Sequence, residues 1–349
     1  MKTTVVIPNY NGKQYLENCL RSLDDARIQE DFHVIIIDNG SADHSLAEVD
    51  SLYPWMECVY FSENKGFCAA VNEGIRRAKT PYVFLLNNDT TVEPDCIRIL
   101  EQRMDQEPNL FSVSARMVDM KDPSVLDGAG DLYSALGWAY AIGKGKPVSE
   151  HMQKMDIFSA CGGAAIYRKS ALDSIGVFDE LHFAYLEDVD LGYRARIHGW
   201  RNSYEPEAVV NHAGSAATGS RYNEFKIRHS ARNNVYLIYK NMPLLQMILN
   251  LPFLLAGFGI KTLFFIRRGF GKLYVKSLLE GCRLCCSSQG RTNHVRFRFE
   301  NLGNYIKIQL ELWLNIFRRI QKHFNEITSC TFLSNHVQWN LYIEKQVKP

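Results

Sequence analysis

The chain has 349 residues, 46% hydrophobic and 22% charged, a balance that excludes disorder, collagen-like repeats and a disulfide-stapled miniprotein. Its formal charge of +2 hides an asymmetry: residues 1–213 hold 20 Lys and Arg against 32 Asp and Glu, and residues 214–349 hold 20 against 6. A net −12 followed by a net +14 points the second part toward an anionic surface, nucleic acid or phospholipid.

In chain order, residues 3–7, 33–37 and 82–86 are apolar runs of strand length, separated by amphipathic stretches that read as helices over 13–24 and 67–79. Strand, helix, strand, helix predicts an α/β fold whose parallel sheet is covered on both faces. Ligands bind such sheets beyond the carboxyl ends of the strands, and those ends are polar here. They read Pro8-Asn9-Tyr10-Asn11-Gly12, Asp38-Asn39-Gly40-Ser41 and Asn87-Asn88-Asp89-Thr90. Residues 110–160, rich in Gly and Asp, read as loops and short strands on the acceptor side.

Asp89, at a strand end, is placed to hold a divalent ion or to cap a turn near Pro94. The segment 178–191 carries five carboxylates among aromatics. A helix opened by Glu187 puts Asp188 in its first turn and Asp190 on another face. Leu191, Ala195 and Ile197 then anchor that helix, and Arg194 and Arg196 solvate it. Asp188 is either a general base with a raised pKa, beside Phe183 and Tyr185, or a dipole-favoured helix-start carboxylate. His212 ends a β-branched run and is either structural or a ligand to the same ion.

Residues 243–260 contain no charge, and Lys261, Arg267, Arg268, Lys272 and Lys276 follow. The pattern predicts a helix lying on anionic headgroups; a full span and a buried hairpin broken at Pro252 are the alternatives. Ile306, Leu310, Trp313, Phe317 and Ile320 form one helix stripe, read as a packing face, with Arg318, Arg319 and Lys322 closing the helix. Nine scattered cysteines, ending at Cys330, indicate a reducing compartment, and Cys282 and Cys285 make one CxxC without a second pair. The short apolar run after Lys2 is no signal-peptide core, so the chain is expected in the cytoplasm.

The eight residues 5–12 resemble the opening of glycosyltransferase family 2. So does the order of Asp38-Asn39-Gly40-Ser41, Asn64-Lys65-Gly66-Phe67, Asn72, Asn87-Asn88-Asp89, Cys161-Gly162-Gly163-Ala164 and Glu187-Asp188. The likeness covers about residues 3–240 and extends to the His212 loop and the Arg232-Asn233 pair of rhamnosyltransferase-like bacterial members. It implies a GT-A fold with a Rossmann-like, mostly parallel sheet over residues 1–240, and a helical, basic C-terminal region over 241–349. It implies inverting transfer from a dTDP- or UDP-linked sugar, rhamnose favoured, to a glycan or polyprenyl-linked glycan in cell-surface polysaccharide synthesis.

On this resemblance Asp188, with Glu187, is catalytic. Pro8, Tyr10, Asp38, Asn64, Gly66, Asn72 and Asn88 bind the nucleotide, and Asp38 accepts the pyrimidine N–H. Asp89 and His212 hold Mg²⁺ or Mn²⁺. Asn87 replaces the first Asp of the family's DxD motif. With the basic region, the resemblance places the protein on the inner face of the cell membrane, with no nucleic-acid partner. A catalytically inactive nucleotide-sugar binder and a nucleotidyltransferase are the alternatives.

Overall fold

The computed structural model describes residues 1–214 and 223–319. Its strands are β1 Thr3–Asn9, β2 His33–Asp38, β3 Met56–Tyr60, β4 Tyr82–Leu86, β5 Thr90–Val92, β6 Leu110–Asp119, β7 Leu126–Gly128, β8 Asp131–Ser134, β9 Trp138–Ala141, β10 Met155–Ile157, β11 Ala164–Arg168 and β12 Arg201–His212. The helices are α1 Leu16–Ala26, α2 Ser45–Val49, α3 Phe67–Arg77, α4 Cys96–Gln106, α5 Lys169–Ile175, α6 Glu187–Ile197, α7 Glu224–Asn241, α8 Leu244–Arg267, α9 Gly271–Cys286 and α10 Ser288–Thr292. A further helix runs over residues 302–319.

The main sheet has the order β3-β2-β1-β4-β11-β6-β12-β10, with β5 on β12 and β7 on β6. β3, β2, β1 and β4 are mutually parallel, as are β6 and β12, while β11 runs antiparallel between β4 and β6. The chain leaves β1 for β2 on one side and reaches β4 on the other, so the loops after β1 and β4 open into one crevice at the switch point. Val5, Ile7, Ile36, Phe84 and Leu86 bury one sheet face against α1 and α4. Val6, Ile35, Ile37, Val83 and Leu85 bury the other against α3 and α5. Both faces are covered, which is why the strands read as continuous rather than alternating apolar runs.

Two expectations for the middle and the helix after it change. Residues 110–119 form a ten-residue interior strand, not a loop. Ser112 and Ser114 interrupt its apolar pattern yet are fully buried, and Ser112 Oγ donates to Asn202 Oδ1 at 2.7 Å. In α6, Leu191, Ala195 and Ile197 are buried, but Arg194 does not reach solvent. It donates to Asp190 at 3.0 Å and to the carbonyls of Ile175, Gly176 and Val177. Arg196 is also turned inward, over the Phe158 ring and onto Glu311.

The C-terminal helices follow a different rule. α8 is unbroken through Pro252 over 24 residues, so the broken hairpin does not form. Its polar side chains point in and its apolar ones out: Gln246, Asn250, Leu254 and Gly257 are buried, whereas Leu244, Ile248, Leu251, Leu255, Ile260 and Leu263 are exposed. Asn250 and Gln309 exchange two side-chain hydrogen bonds (2.9 and 2.7 Å), and Trp313 Nε1 also donates to Asn250 Oδ1 at 3.0 Å. The stripe expected to pack does so only at Trp313: Ile306, Leu310 and Phe317 are exposed, and Tyr305, Ile308 and Leu312, offset around the helix, fill the core. Ser215, Ile320, Lys322 and Cys330 lie outside the described residues.

Candidate functional site

The strand ends, the α6 N-terminus and the β8–β9 hairpin enclose a cleft of about 1030 Å³. Pro8, Tyr10, Asn64, Gly66, Asn88, Asp89, Glu187 and Asp188 line it, together with Asp131, Tyr140, Cys161 and Phe183. Asp38, Asn72 and His212 stand one layer behind that wall.

On the β1 side the parallel register sets Asn9 opposite Asp38. Asn9 Nδ2 donates to Asp38 Oδ1 at 3.0 Å and to Ser45 Oγ at 2.8 Å, and Asn9 Oδ1 accepts from Asn88 Nδ2 at 2.7 Å. Ser41 donates to the remaining Asp38 oxygen and to the shared one through its N–H and hydroxyl. Asp38 is therefore buried and engaged, bracing the loop rather than facing the cleft. Asn64 Oδ1 accepts from Gly66 N (2.9 Å) and Asn39 Nδ2 (3.0 Å), which shapes the turn into α3. Gly66 is required there: its φ is +88°, and a Cβ would meet the Phe183 ring at 2.6 Å.

Asn72 departs from the nucleotide-side expectation. It is buried in α3, exchanges hydrogen bonds with the Phe178 backbone (2.8 and 3.1 Å) and donates to Glu180 at 3.0 Å. Its side chain ties the acidic segment to the sheet, with both amide hydrogens already engaged.

Asp89 ends β4's polar turn, and Asn87 N donates to Gly163 O at 2.9 Å beneath it. His212, at the end of β12, brings Nε2 to 3.4 Å from Asp89 Oδ1, while Asp127 Oδ2 lies 2.8 Å from its Nδ1. Burial disfavours the charged ring, but hydrogen bonds to Asp127 and Asp89 outweigh it and raise the pKa to about 9. The ring is thus held charged between two carboxylates, so Asp89 is the group here suited to a divalent ion, and His212 could join it only after its ring loses the proton. Sequence reasoning missed Asp127; only the fold brings it within reach of β12.

At the other pole, Asp188 stands in the first turn of α6, and one of its oxygens accepts from Val189 N at 2.7 Å. Ligand atoms of Asp131, Cys161 and Asp188 all lie within 4.8 Å of one another. Burial raises the Asp188 pKa, and burial with the Asp188 charge raises Asp131 to about 8. Burial pushes Glu187 well above the carboxylate range and the Cys161 thiol well above its own. A thiol held protonated suits a hard divalent ion poorly, so of this group the Asp131 and Asp188 carboxylates are the members suited to one. CxxC residues Cys282 and Cys285 lie on α9, and the group of three or more potential ligands found among the described residues does not include them.

The loop leading into α6 is held in an uncommon shape. Phe183, Tyr185 and Leu186 have φ of 63°, 71° and 67°, a region costly for residues with a Cβ. Asn233 donates to the carbonyls of His182, Ala184 and Tyr185 at 2.7–2.8 Å, and Arg232 to those of Leu181 and His182. The Arg-Asn pair of α7 is thus the clamp that presents Glu187 and Asp188. Below it, Lys240 Nζ bridges Asp179 (2.7 Å) and Asp190 (2.8 Å), and Asn241, Tyr236 and Asn293 complete a buried network.

A sheet of this order with a cleft at its switch point has the GT-A fold. A family model described as Glycosyl transferase family 2 matches residues 4–176. An N-acetylglucosaminyl-diphospho-decaprenol L-rhamnosyltransferase of Mycobacterium tuberculosis is 29% identical over 243 residues, covering 62% of this chain and 77% of the relative. A poly-β-1,6-N-acetyl-D-glucosamine synthase of Staphylococcus aureus is 24% identical over 208 residues, 59% of this chain and 48% of its own. Among solved structures, S. aureus TarS 1–349 in complex with UDP-GlcNAc superposes with a TM-score of 0.55 at 15% identity over 84% of each chain. GalNAc-T7 with UDP, GalNAc and Mn²⁺ gives 0.54 at 15% identity, covering 69% of this chain and 48% of that one. Residues 4–176 thus match glycosyltransferase family 2, and the relatives that align with them carry glycosyltransferase names.

Proposed function

We propose that the protein transfers a sugar, rhamnose favoured, from a dTDP- or UDP-linked donor with inversion at the anomeric carbon. The acceptor is a saccharide or polyprenyl-linked saccharide met at the inner face of the cell membrane, in cell-surface polysaccharide synthesis. The observation that carries this reading is the polarity of one cleft: raised-pKa carboxyls at Asp188 and Glu187 at one end, Asp89 with His212 behind it at the other.

Asp188 takes the proton of the attacking hydroxyl, and burial keeps its basicity above that of a free aspartate. Pro8, Tyr10, Asn64, Gly66 and Asn88 hold the nucleotide, with Asp38 and Asn72 fixing those walls from behind. Asp89, joined by His212 once its ring is neutral, would hold Mg²⁺ or Mn²⁺, which would supply charge neutralisation to the departing diphosphate. A single displacement with one base inverts, and no nucleophile-plus-base pair for a second displacement stands out. Rhamnose and the lipid-linked acceptor are supported by the printed activity of the mycobacterial relative. We assign the catalytic unit to residues 1–240 and a basic, membrane-facing region to 241–349, with the protein cytoplasmic and peripheral.

A thermal-shift screen of dTDP-rhamnose and UDP-sugars, each with Mg²⁺, Mn²⁺ or EDTA, tests the reading, since a ligand of the native state raises Tm with its occupancy. A metal-dependent rise with one donor is expected. No rise with any donor, with or without metal, overturns it.

A further inference from the structure

The outward faces of two C-terminal helices form one surface that the fold leaves uncovered. On α8, Ile248, Leu251, Leu255 and Leu263 are exposed, and on helix 302–319 so are Leu310 and Phe317. The two helices lie side by side, locked by Asn250, Gln309 and Trp313. A contiguous apolar surface of this kind marks an interaction site rather than ordinary surface scatter.

Its charge identifies the partner. Residues 242–279 contain five cations, Lys261, Arg267, Arg268, Lys272 and Lys276, and no acidic residue. Helix 302–319 adds Lys307, Arg318 and Arg319 against one acid, Glu311, which Arg196 pairs, and apolar side chains with this excess of cations match the acyl and headgroup layers of an anionic bilayer. A second copy matches less well, because an isologous contact sets the same cations against each other. A full span matches less well too: among the described residues α8 is the one helix long and apolar enough. Yet its buried edge is pinned to the body, since at Gly257 even a Cβ would come 2.0 Å from Leu136 O.

What stands behind this surface is the wall of the cleft. Trp138 Nε1 of β9 donates to Gly257 O at 3.2 Å, and Lys261 sits over the Trp138 ring. Tyr140 OH donates to Asn315 O at 2.9 Å, Asn315 Nδ2 to Tyr133 O at 2.8 Å, and Ala135 N to Leu312 O at 3.0 Å. The same hairpin lends Asp131, Ala139, Tyr140 and Ala141 to the cleft. One face of the β8–β9 hairpin is therefore fastened to both helices while its residues line the site.

We propose that the outward face of α8 and helix 302–319 docks on an anionic phospholipid bilayer, and that the β8–β9 hairpin fastened behind it is the acceptor wall of the cleft. Docking thus presents the wall to acceptors carried in the membrane. This rests on the transferase reading with a lipid-linked acceptor.

The test uses the full chain and vesicles of phosphatidylcholine with or without one-quarter phosphatidylglycerol. The wild type is expected to float with the anionic vesicles, less so in high salt, and to be released by alkaline carbonate. The triple variant Ile248→Asn, Leu255→Asn, Leu263→Asn, at exposed positions, should keep its Tm and donor-induced thermal shift. It should lose flotation and roughly tenfold or more of transfer to a polyprenyl-linked acceptor in vesicles, while transfer to a water-soluble saccharide is unchanged. Absence of flotation, retention after carbonate (a span), or a dimer that the triple variant abolishes without any vesicle binding each overturns the docking surface. Equal loss on soluble and vesicle acceptors overturns the link to the hairpin. A chain that floats but responds to no donor leaves docking intact and breaks the transferase reading alone.

Discussion

The sheet half and the helical half of this molecule bury opposite things. Around the sheet, apolar strands lie inside and polar residues gather at their carboxyl ends, where Asn9, Asn88 and Asp89 meet the cleft. In the C-terminal helices, Gln246, Asn250, Gln309 and Asn315 are buried while leucines and phenylalanines face outward. The first half is organised around its own core. The second uses paired polar groups as internal fastening and leaves its apolar surface to something else. Asn250, Gln309 and Asn315 are tolerated there because each finds a partner within 3.0 Å, whereas Gln246 accepts from Tyr193 through Oε1 and leaves Nε2 without one.

The contrast can be broken most sharply at the cleft. Asp188→Asn should lower turnover by about 10²–10⁴-fold, the range of a lost general base, with donor binding by calorimetry retained. Comparable loss of binding would reassign Asp188 to the donor. Lys240→Met tests the network under α6. Removing one partner of a buried ion cluster costs about 3–5 kcal/mol, so a large fall in Tm is expected, with little change meaning that Asp179 and Asp190 find other compensation.

The sign of the pH dependence follows from the same residues. Despite burial, Lys240 holds Asp179 below the ordinary carboxylate range, and Lys240 and Arg194 do so for Asp190. Their contribution is present above about pH 4, the unfolded value, and is lost as pH falls through their depressed folded values. Urea unfolding of the wild type should therefore weaken steeply on acidification, and Lys240→Met should flatten that slope.

Asp188 works ionised, and its pKa is raised, so turnover should fall with decreasing pH at a value above the ordinary aspartate pKa of about 3.9. Asp131, raised to about 8, is already protonated there, so Asp131→Asn should leave that limb in place; a limb moved to lower pH would show that an Asp131 charge bears on Asp188. Smaller still, Asn233→Ala unfastens three loop carbonyls and should cost about 1–3 kcal/mol, with kcat reduced more than KM. Smallest is Leu255→Ser on the outward face of α8, where the unfolding free energy should stay within the roughly ±0.5 kcal/mol typical of surface changes.

Much of the first half was legible because β1, β2 and β4 are buried on both faces and end in polar turns, so hydropathy and motif coincide. Strand β6 was not, since Ser112 and Ser114 look like loop residues until Asn202, some ninety positions away, is placed beside them. Arg194 was misread for a similar reason: its acceptors are backbone carbonyls, which no side-chain pattern advertises. The site residues at strand ends could be named from local sequence, but Asp127 and Asp131 depend on long-range pairing. The stripe from Ile306 to Phe317 showed the right period and the wrong face, because periodicity locates an apolar side without saying whether protein or something else covers it.

The Asn250–Gln309–Trp313 lock has a consequence for how this chain can change. Sliding α8 by a single residue against helix 302–319 would strand several buried polar atoms at once, whereas exchanging one outward leucine for another strands none. Insertions or deletions between residues 250 and 309 that alter how the two helices align are therefore far more damaging than substitutions on their outer sides. The spacing of this region is constrained where its composition is free.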